Sequence, residues 1–238
     1  MKKLIKHLFA ISLFSIGLFI PSISAGKSNI GKSNIIQSSS IQVGSFSVCP
    51  DKFPDKKMPP PSSNIILCNS FFATVYDSTH NVAVYSVEKY QAQVSTYRTN
   101  NFHSDTRVPY IDTKVYLHSG FDKGHLVPAN DAINSNQETE TFSMSNIAPQ
   151  LPSFNRKSWR GLEENVSHTN YRYILTGIIL SDNKLGDISI PSYFYKVVYY
   201  DNSVSVFLGE NVKDAQIKTV SLDELQSMVN YTIPKLVR

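Results

Sequence analysis

The stretch that organises this sequence is Phe121-Asp122-Lys123-Gly124-His125-Leu126-Val127-Pro128-Ala129-Asn130-Asp131. It sets a carboxylate, a cation, a glycine and a histidine in four consecutive positions. A glycine directly before a histidine lets the backbone bend sharply or approach a bulky ligand, which favours an imidazole exposed at the end of a strand. The alternative is that Asp122 and Lys123 are turn residues and that His125 packs against its neighbours. The stretch therefore indicates a candidate base without establishing one.

Segments on both sides of this stretch have the β-branched and aromatic composition of strands. A turn cluster at 77–81 separates two of them and predicts an antiparallel hairpin. Ser221 and Glu224 have the spacing of a capping box and predict a short C-terminal helix. Strands grouped with few helices indicate an α+β domain, with a mostly antiparallel β-sheet core and flanking helices. The predicted strands are residues 65–68, 71–76, 82–87, 171–180, 194–200 and 204–208.

An amphipathic helix is predicted over residues 155–166. Trp159, Leu162 and Val166 recur at the spacing of one apolar helix face. Asn155 would lie near the N-terminal end of this helix, and Glu163 a little over two turns later on roughly the same face. By themselves these two residues read as a helix cap and a solvated side chain.

The N-terminus has the order of a secretory signal. Lys2, Lys3 and Lys6 precede an apolar run at 8–20, and small residues follow up to Ala25. A transmembrane anchor is the alternative, but this run is shorter than the roughly 20 residues that span a bilayer. The sequence predicts a signal peptide at 1–25, a disordered polar leader at 26–45 and a single domain at 46–238. It also predicts a secreted or periplasmic protein with no stable membrane anchor.

The overall charge is uninformative about partners. The chain has 23 Lys and Arg against 19 Asp and Glu, and the three lysines of residues 1–25 account for most of the excess, so the rest carries +1. Phosphate binding would have to come from local placement of basic side chains. The long polar segment 88–120 offers such residues, among which Arg98 is the best candidate for a phosphate contact. For any one of these residues, a solvated surface charge is the competing interpretation.

Cys49 and Cys68 are the two cysteines of the chain. In an exported protein such a pair favours a disulfide that closes the proline-rich loop between them. A zinc site is the poorer alternative, since no histidine lies between the two cysteines.

The blocks around His125 and Asn155 together resemble the DNA/RNA non-specific endonucleases of the ββα-metal (His-Me finger) superfamily. The family signature of Asp, Arg, Gly and His, followed by an apolar residue, a small residue and Pro, stands here as Asp122-Lys123-Gly124-His125-Leu126-Val127-Pro128. The second family block stands here as Ser145-Asn146-Ile147-Ala148-Pro149-Gln150, then Asn155, Trp159 and Leu162-Glu163. The likeness extends more loosely over residues 49–236.

The resemblance implies a ββα-metal catalytic motif and a role for each matching residue. His125 would be the general base, a task that suits an imidazole with an ordinary pKa near 6.5. Asn155 would be the one direct protein ligand of a divalent cation, and Glu163 would hold one of its waters. Magnesium suits such a water-rich shell, and manganese is an alternative. Arg98 and Lys123 would neutralise phosphate, while Asp122 and Asn146 would support the site structurally.

The implied activity is metal-dependent hydrolysis of DNA and RNA that leaves 5′-phosphates. One departure bears on it, because Lys123 stands where the family has arginine. Lysine keeps the charge but lacks the fork that grips a phosphate through two hydrogen bonds. Two alternatives follow: a nucleic-acid-binding protein of the same fold with weakened catalysis, and a phosphodiesterase that acts on small substrates.

Overall fold

This computed structural model describes residues 49–56, 64–92 and 98–235. The predicted signal peptide at 1–25 and polar leader at 26–45 lie outside the described residues, as does the proline run at 59–61. All described residues fall within one compact unit, Ser40–Arg238.

The main body of the described chain is a seven-stranded sheet. Every pair of neighbouring strands is antiparallel, and in the order in which they pair the strands are β1 (Ile65–Cys68), β2 (Phe72–Asp77), β3 (Val82–Lys89), β6 (Tyr173–Leu185), β7 (Ile188–Tyr199), β8 (Val204–Glu210) and β9 (Ile217–Val220). The predicted hairpin around 77–81 joins β2 to β3. This confirms the prediction of an α+β domain with a mostly antiparallel sheet.

The β6–β7 hairpin is longer than the sequence predicted. The predicted strands ended at 180 and resumed at 194, whereas the observed strands run to Leu185 and restart at Ile188. Polar residues continue the ladder because each strand supplies the hydrogen-bond partners of the other, and Gly186 turns the chain with a positive φ of 58°. Pro191 lies opposite Leu180, where the register shifts, and such a bulge accommodates a residue without an N–H. Strand β9, also missed, is short and pairs with β8.

Each face of the sheet buries its own apolar cluster. Along β7, Phe194 and Val198 point to one face, and Tyr195, Val197 and Tyr199 point to the other, as the period of two requires. The first face is covered by the helical segment that follows Phe154. The second face is covered by α3 (Leu222–Met228), whose N-cap Ser221 accepts a hydrogen bond from the Glu224 N–H at 3.0 Å as the capping box predicted.

A small ββα unit is packed against the first face. Strands β4 (Asp122–His125) and β5 (Ile147–Gln150) pair antiparallel, with Gly124 opposite Ala148 and His125 opposite Ile147. A short helix, α1 (Ser135–Thr141), lies in the connection between them.

The helical part of this unit differs from the predicted single α-helix over 155–166. It begins as a π-helical segment, Phe154–Trp159, and continues as α2 (Arg160–Ser167). The wider turn places residues five apart on one face, so the Phe154 and Trp159 rings are both buried and lie 5.5 Å apart. The periodicity of Trp159, Leu162 and Val166 indicated the helix but gave no sign of its π-helical first part.

Cys49 and Cys68 form a disulfide, as the sequence predicted. The bond ties the segment before β1 to the end of that strand. Cross-linking a loop of this length stabilises a fold by about 3 kcal/mol in the chain-entropy model.

No helix among the described residues is long and apolar enough to cross a membrane.

Candidate active site

A cavity of about 520 Å³ opens beside the ββα unit. Six of the seven residues that the sequence singled out line it, although they come from three separate parts of the chain. The seventh, Asn146, is fully buried behind it. The structure therefore brings together Arg98, Asp122, Lys123, His125, Asn155 and Glu163.

His125 is the last residue of β4 and lines the cavity, but its ring is less exposed than the sequence suggested. Phe142 packs edge-on against the imidazole at 4.9 Å between ring centroids, and Phe102 lies at 5.4 Å. The Nε2 atom is enclosed and has no hydrogen-bond partner among the described residues. Burial, followed by the nearby charge of Arg98, lowers the pKa of His125 to about 3. This corrects the expected value near 6.5, and the imidazole is neutral throughout the neutral and mildly acidic range.

Asn146 holds the backbone that follows His125. Its side-chain amide donates to the carbonyl oxygens of Val127 and Thr141 at 2.9 and 3.0 Å. Its Oδ1 accepts from the Val127 N–H at 3.1 Å and from the Ser86 hydroxyl at 3.2 Å. Both backbone groups of Val127 are thus bonded to one buried side chain, a geometry that supports the structural role predicted for Asn146.

Asp122, at the other end of β4, orients Asn155. The Asn155 amide nitrogen donates to Asp122 Oδ2 at 2.9 Å, which leaves the amide oxygen as the atom available for a ligand. Arg156 donates to both oxygens of the same carboxylate, at 2.8 and 2.6 Å. Asn155 acts here as a hydrogen-bond donor to a neighbouring strand, and not as the helix cap that its position also allowed.

Arg156 is a site residue that sequence reasoning missed. The signal lay in its position directly after Asn155, but a surface arginine there had no visible partner. Only the folded chain shows that Asp122, 34 residues earlier, forms a bidentate pair with it.

Glu163 reaches the cavity from α2. Its Oε1 is enclosed and lies 3.4 Å from the Nζ of Lys196. Burial raises the pKa of Glu163 to about 7; the Lys196 charge opposes this shift and Asp131 adds to it. Near pH 7 the Glu163 carboxyl group is therefore partly ionised and partly neutral.

The basic side chains of the cavity differ in how they are held. Lys123 Nζ lies over the rings of Phe102 and Tyr116, 5.1 and 5.3 Å from their centroids. Arg98 is exposed and donates from Nε to Asn100 Oδ1 at 3.1 Å. Arg156 and Arg160 extend the positive charge along the rim of the cavity.

The donor set fits a hard divalent cation. Asn155 and Glu163 line one cavity, and the amide oxygen of Asn155 is the kind of ligand atom that magnesium prefers, while the Glu163 carboxyl is suited to a hydrogen bond from a water of the cation. Asp122 fixes the amide in the orientation that such a ligand requires. Among the described residues, no group of three or more histidine, cysteine, aspartate or glutamate side chains is placed to hold a metal.

The close approach of β4 to β5 at Gly124 gives a testable prediction. A Cβ added there would lie 2.6 Å from the Gln150 Cβ and 3.1 Å from the Ala148 carbonyl oxygen. We expect Gly124→Ala to force the two strands apart, to lower stability by about 1–3 kcal/mol as overpacking does, and to displace His125. Thermal unfolding and nuclease assays measure the two effects.

Gly161→Ala is the matched control for this substitution. It lies in α2, where an added Cβ meets nothing within 4 Å, and alanine favours a helix by about 1 kcal/mol over glycine. If Gly124→Ala proved as stable and active as Gly161→Ala, the contact between the two strands would not be what positions His125.

Comparison with known proteins places this site in a family. A model described as DNA/RNA non-specific endonuclease matches residues 49–235. A nuclease from Nostoc sp. is 31% identical over 162 residues, 56% of this chain and 59% of that protein. Nuclease C1 from Cunninghamella echinulata var. echinulata is 32% identical over 121 residues, 42% of this chain and 48% of that protein. The chain thus spans about half the length of these curated relatives.

A solved structure supports the fold. A chain in the crystal structure of the EndoG/EndoGI complex superposes with a TM-score of 0.62 and 23% identity. The match covers 71% of this chain and 84% of that one. At this identity the likeness concerns the fold, and it agrees with the α+β architecture described above.

Proposed function

Because this chain belongs to the DNA/RNA non-specific endonuclease family, we propose that it hydrolyses phosphodiester bonds in DNA and RNA with little regard to base sequence. The observation that carries the proposal is the common cavity of His125, Asn155 and Glu163, which come from a strand and the helical segment packed against it. In the proposed site His125 supplies a base, Asn155 supplies a cation ligand, and Glu163 supplies a carboxyl group that orients a water of the cation.

His125 is the general base of the proposed reaction. Because its pKa lies far below neutrality, the imidazole is neutral at pH 7, and its unprotonated ring nitrogen can accept a proton from an attacking water. The water oxygen bonds to phosphorus as the bond to the 3′ oxygen breaks, so the phosphate remains on the 5′ side. The Phe102 and Phe142 rings hold the imidazole in one orientation during this transfer.

Asn155 would hold magnesium, with manganese as the alternative, through its amide oxygen, and Glu163 would orient a water of the cation. When bound, the cation supplies positive charge for a non-bridging oxygen and for the departing oxygen. Asp122 keeps the Asn155 amide from rotating, and Arg156 in turn holds Asp122. Arg98 and Lys123 neutralise the phosphate that enters the cavity.

Broad specificity follows from what these groups contact. Cations and metal ligands that bind phosphate carry little information about base identity. The aromatic and basic lining of the cavity contains Phe102, Tyr116, Lys123, Arg156 and Arg160. These side chains suit a sugar-phosphate backbone of either nucleic acid.

We further propose that the protein is exported. The predicted signal at 1–25, leader at 26–45 and domain at 46–238 agree with a final location outside the cytosol. The Cys49–Cys68 disulfide supports this location, since such bonds persist mainly in oxidising compartments.

Incubation with supercoiled plasmid and with single-stranded RNA tests the proposed function. The chain without residues 1–25 is expected to degrade both in magnesium, and EDTA is expected to stop the reaction by removing the cation. Products are checked for 5′-phosphates by ligation. A bis-aryl phosphodiester serves as the small-substrate probe.

The three candidate activities give different outcomes in this assay. Nucleic acid that is retained in a gel shift but left uncut would overturn the nuclease in favour of a binding protein. Hydrolysis of the small diester alone would favour the small-substrate phosphodiesterase. Cleavage unaffected by EDTA would contradict the proposed cation.

A further inference from the structure

Lys196 is a buried lysine in the middle of β7. Only 1% of its surface is exposed, and it stands between Phe194 and Val198 on the face that packs under the helical segment. A cation in such a place is unfavourable unless nearby groups compensate its lost hydration. An apolar side chain would fill the same space without that cost, so the charge itself requires an explanation.

The Lys196 ammonium contacts both halves of the candidate site. Nζ donates to the Thr176 hydroxyl at 2.7 Å and lies 3.5 Å from the Leu126 carbonyl oxygen. On its other side it lies 3.4 Å from Glu163 Oε1 and 5.3 Å from the centroid of the Trp159 ring. Leu126 directly follows His125, so the Lys196 side chain contacts both the backbone next to the proposed base and the Glu163 carboxyl group on α2.

The groups around Glu163 make this contact electrostatically important. Asp131, from the turn after β4, and Glu88, from β3, are both buried close to Lys196 and Glu163. Burial and the neighbouring Asp131 raise the pKa of Glu88 well above its ordinary value. Lys196 is the main influence that lowers the pKa of Glu163 against burial and Asp131. The Trp159 side chain also lowers the pKa of Glu163, but less than Lys196 does.

We propose that Lys196 is a positioning residue of the active site: its ammonium holds the Glu163 carboxylate at the cavity and ties it to the backbone that carries His125. The proposal rests on the proposed function for its effect on catalysis. Lys196 lies behind the cavity and does not line it, so it acts through Glu163 and not on the substrate.

Lys196→Met tests the proposal, because methionine fills similar space without the charge. We expect activity on plasmid at pH 7 to fall about 100-fold, which is within the range of losing one assisting group. The pH dependence of the rate should shift to higher pH, because Glu163 loses the charge that keeps it ionised. Lys218→Met, an exposed lysine of β9 in the same sheet, is the control and should leave activity and pH dependence unchanged.

A double substitution separates positioning from general damage. In a Glu163→Gln background, Lys196→Met should cost less than about threefold more, since residues that act as a unit are not additive. A full additional 100-fold loss would overturn the proposal. So would a Lys196→Met variant that keeps most of its activity.

A readout that needs no turnover distinguishes this inference from the proposed function. With ¹³C-labelled glutamate, NMR follows the Glu163 carboxyl carbon as a function of pH. Its titration midpoint should rise in Lys196→Met, whether or not the wild-type chain cuts nucleic acid, and an unmoved midpoint would refute the contact. If Lys196→Met fails to fold, Thr176→Val, which removes the 2.7 Å partner of Nζ, should show the same shift in smaller degree.

Discussion

His125→Ala is expected to reduce nuclease activity by about three orders of magnitude, within the range attributed to a positioned general base. Alanine cannot take the proton of the attacking water, while the cation ligand and the basic side chains stay in place. Steady-state cleavage of a labelled duplex, with circular dichroism to verify the fold, measures the effect.

His168→Ala is the control for this substitution, because His168 is an exposed histidine just after α2. It should retain activity close to that of the unchanged protein. A His125→Ala variant with more than a tenth of the original rate would mean that another group accepts the proton.

His125→Ala should also change how the free energy of unfolding depends on pH. The folded-state pKa of His125 is about 3, below the unfolded value of about 6.5. Between these values the unfolded chain binds more protons, so falling pH favours unfolding by up to about 1.4 kcal/mol per pH unit. His125→Ala removes this contribution. Urea unfolding at pH 7 and at pH 4.5 should therefore show a smaller loss of stability in the variant, and equal losses would contradict the buried, neutral imidazole.

Asn155→Ala is expected to lower activity by about two to three orders of magnitude, the size of losing one preorganised electrostatic contact. The variant lacks the proposed protein ligand of the cation, although Asp122 and Arg156 keep their own ion pair. Calorimetric titration with magnesium and manganese should show weakened binding, and added metal should restore part of the rate.

Asn165→Ala provides the matched control, since Asn165 is an exposed asparagine on α2. It should bind metal and cut nucleic acid as the unchanged chain does. If Asn155→Ala bound magnesium as tightly as Asn165→Ala, Asn155 would not be the ligand.

The loss of the cation ligand and the loss of the base should respond differently to the metal concentration. A higher metal concentration should restore part of the activity lost in Asn155→Ala, whereas it should not restore the activity lost in His125→Ala. Because Asn155 and His125 lie on different elements of one cavity, this contrast tests their separate roles in one site.

Local patterns in the sequence determined much of this protein. Alternating β-branched and aromatic residues indicated the main strands, and the spacing of Trp159, Leu162 and Val166 indicated the helical segment. The motif around His125 and the block around Asn155 were sufficient to indicate the family and the residues of the cavity. These features depend on neighbours a few positions away, so they are visible in the chain before it folds.

Contacts between distant positions were decided by the tertiary structure alone. Asp122 meets Arg156 across 34 residues, and Leu126 meets Lys196 across 70. The lowered pKa of His125 arises from burial and the charge of Arg98. The polar end of the β6–β7 hairpin forms because the two strands pair with each other there. Burial, partner geometry and the local dielectric arise only when the chain is folded, and for that reason no pattern of residue types could supply them.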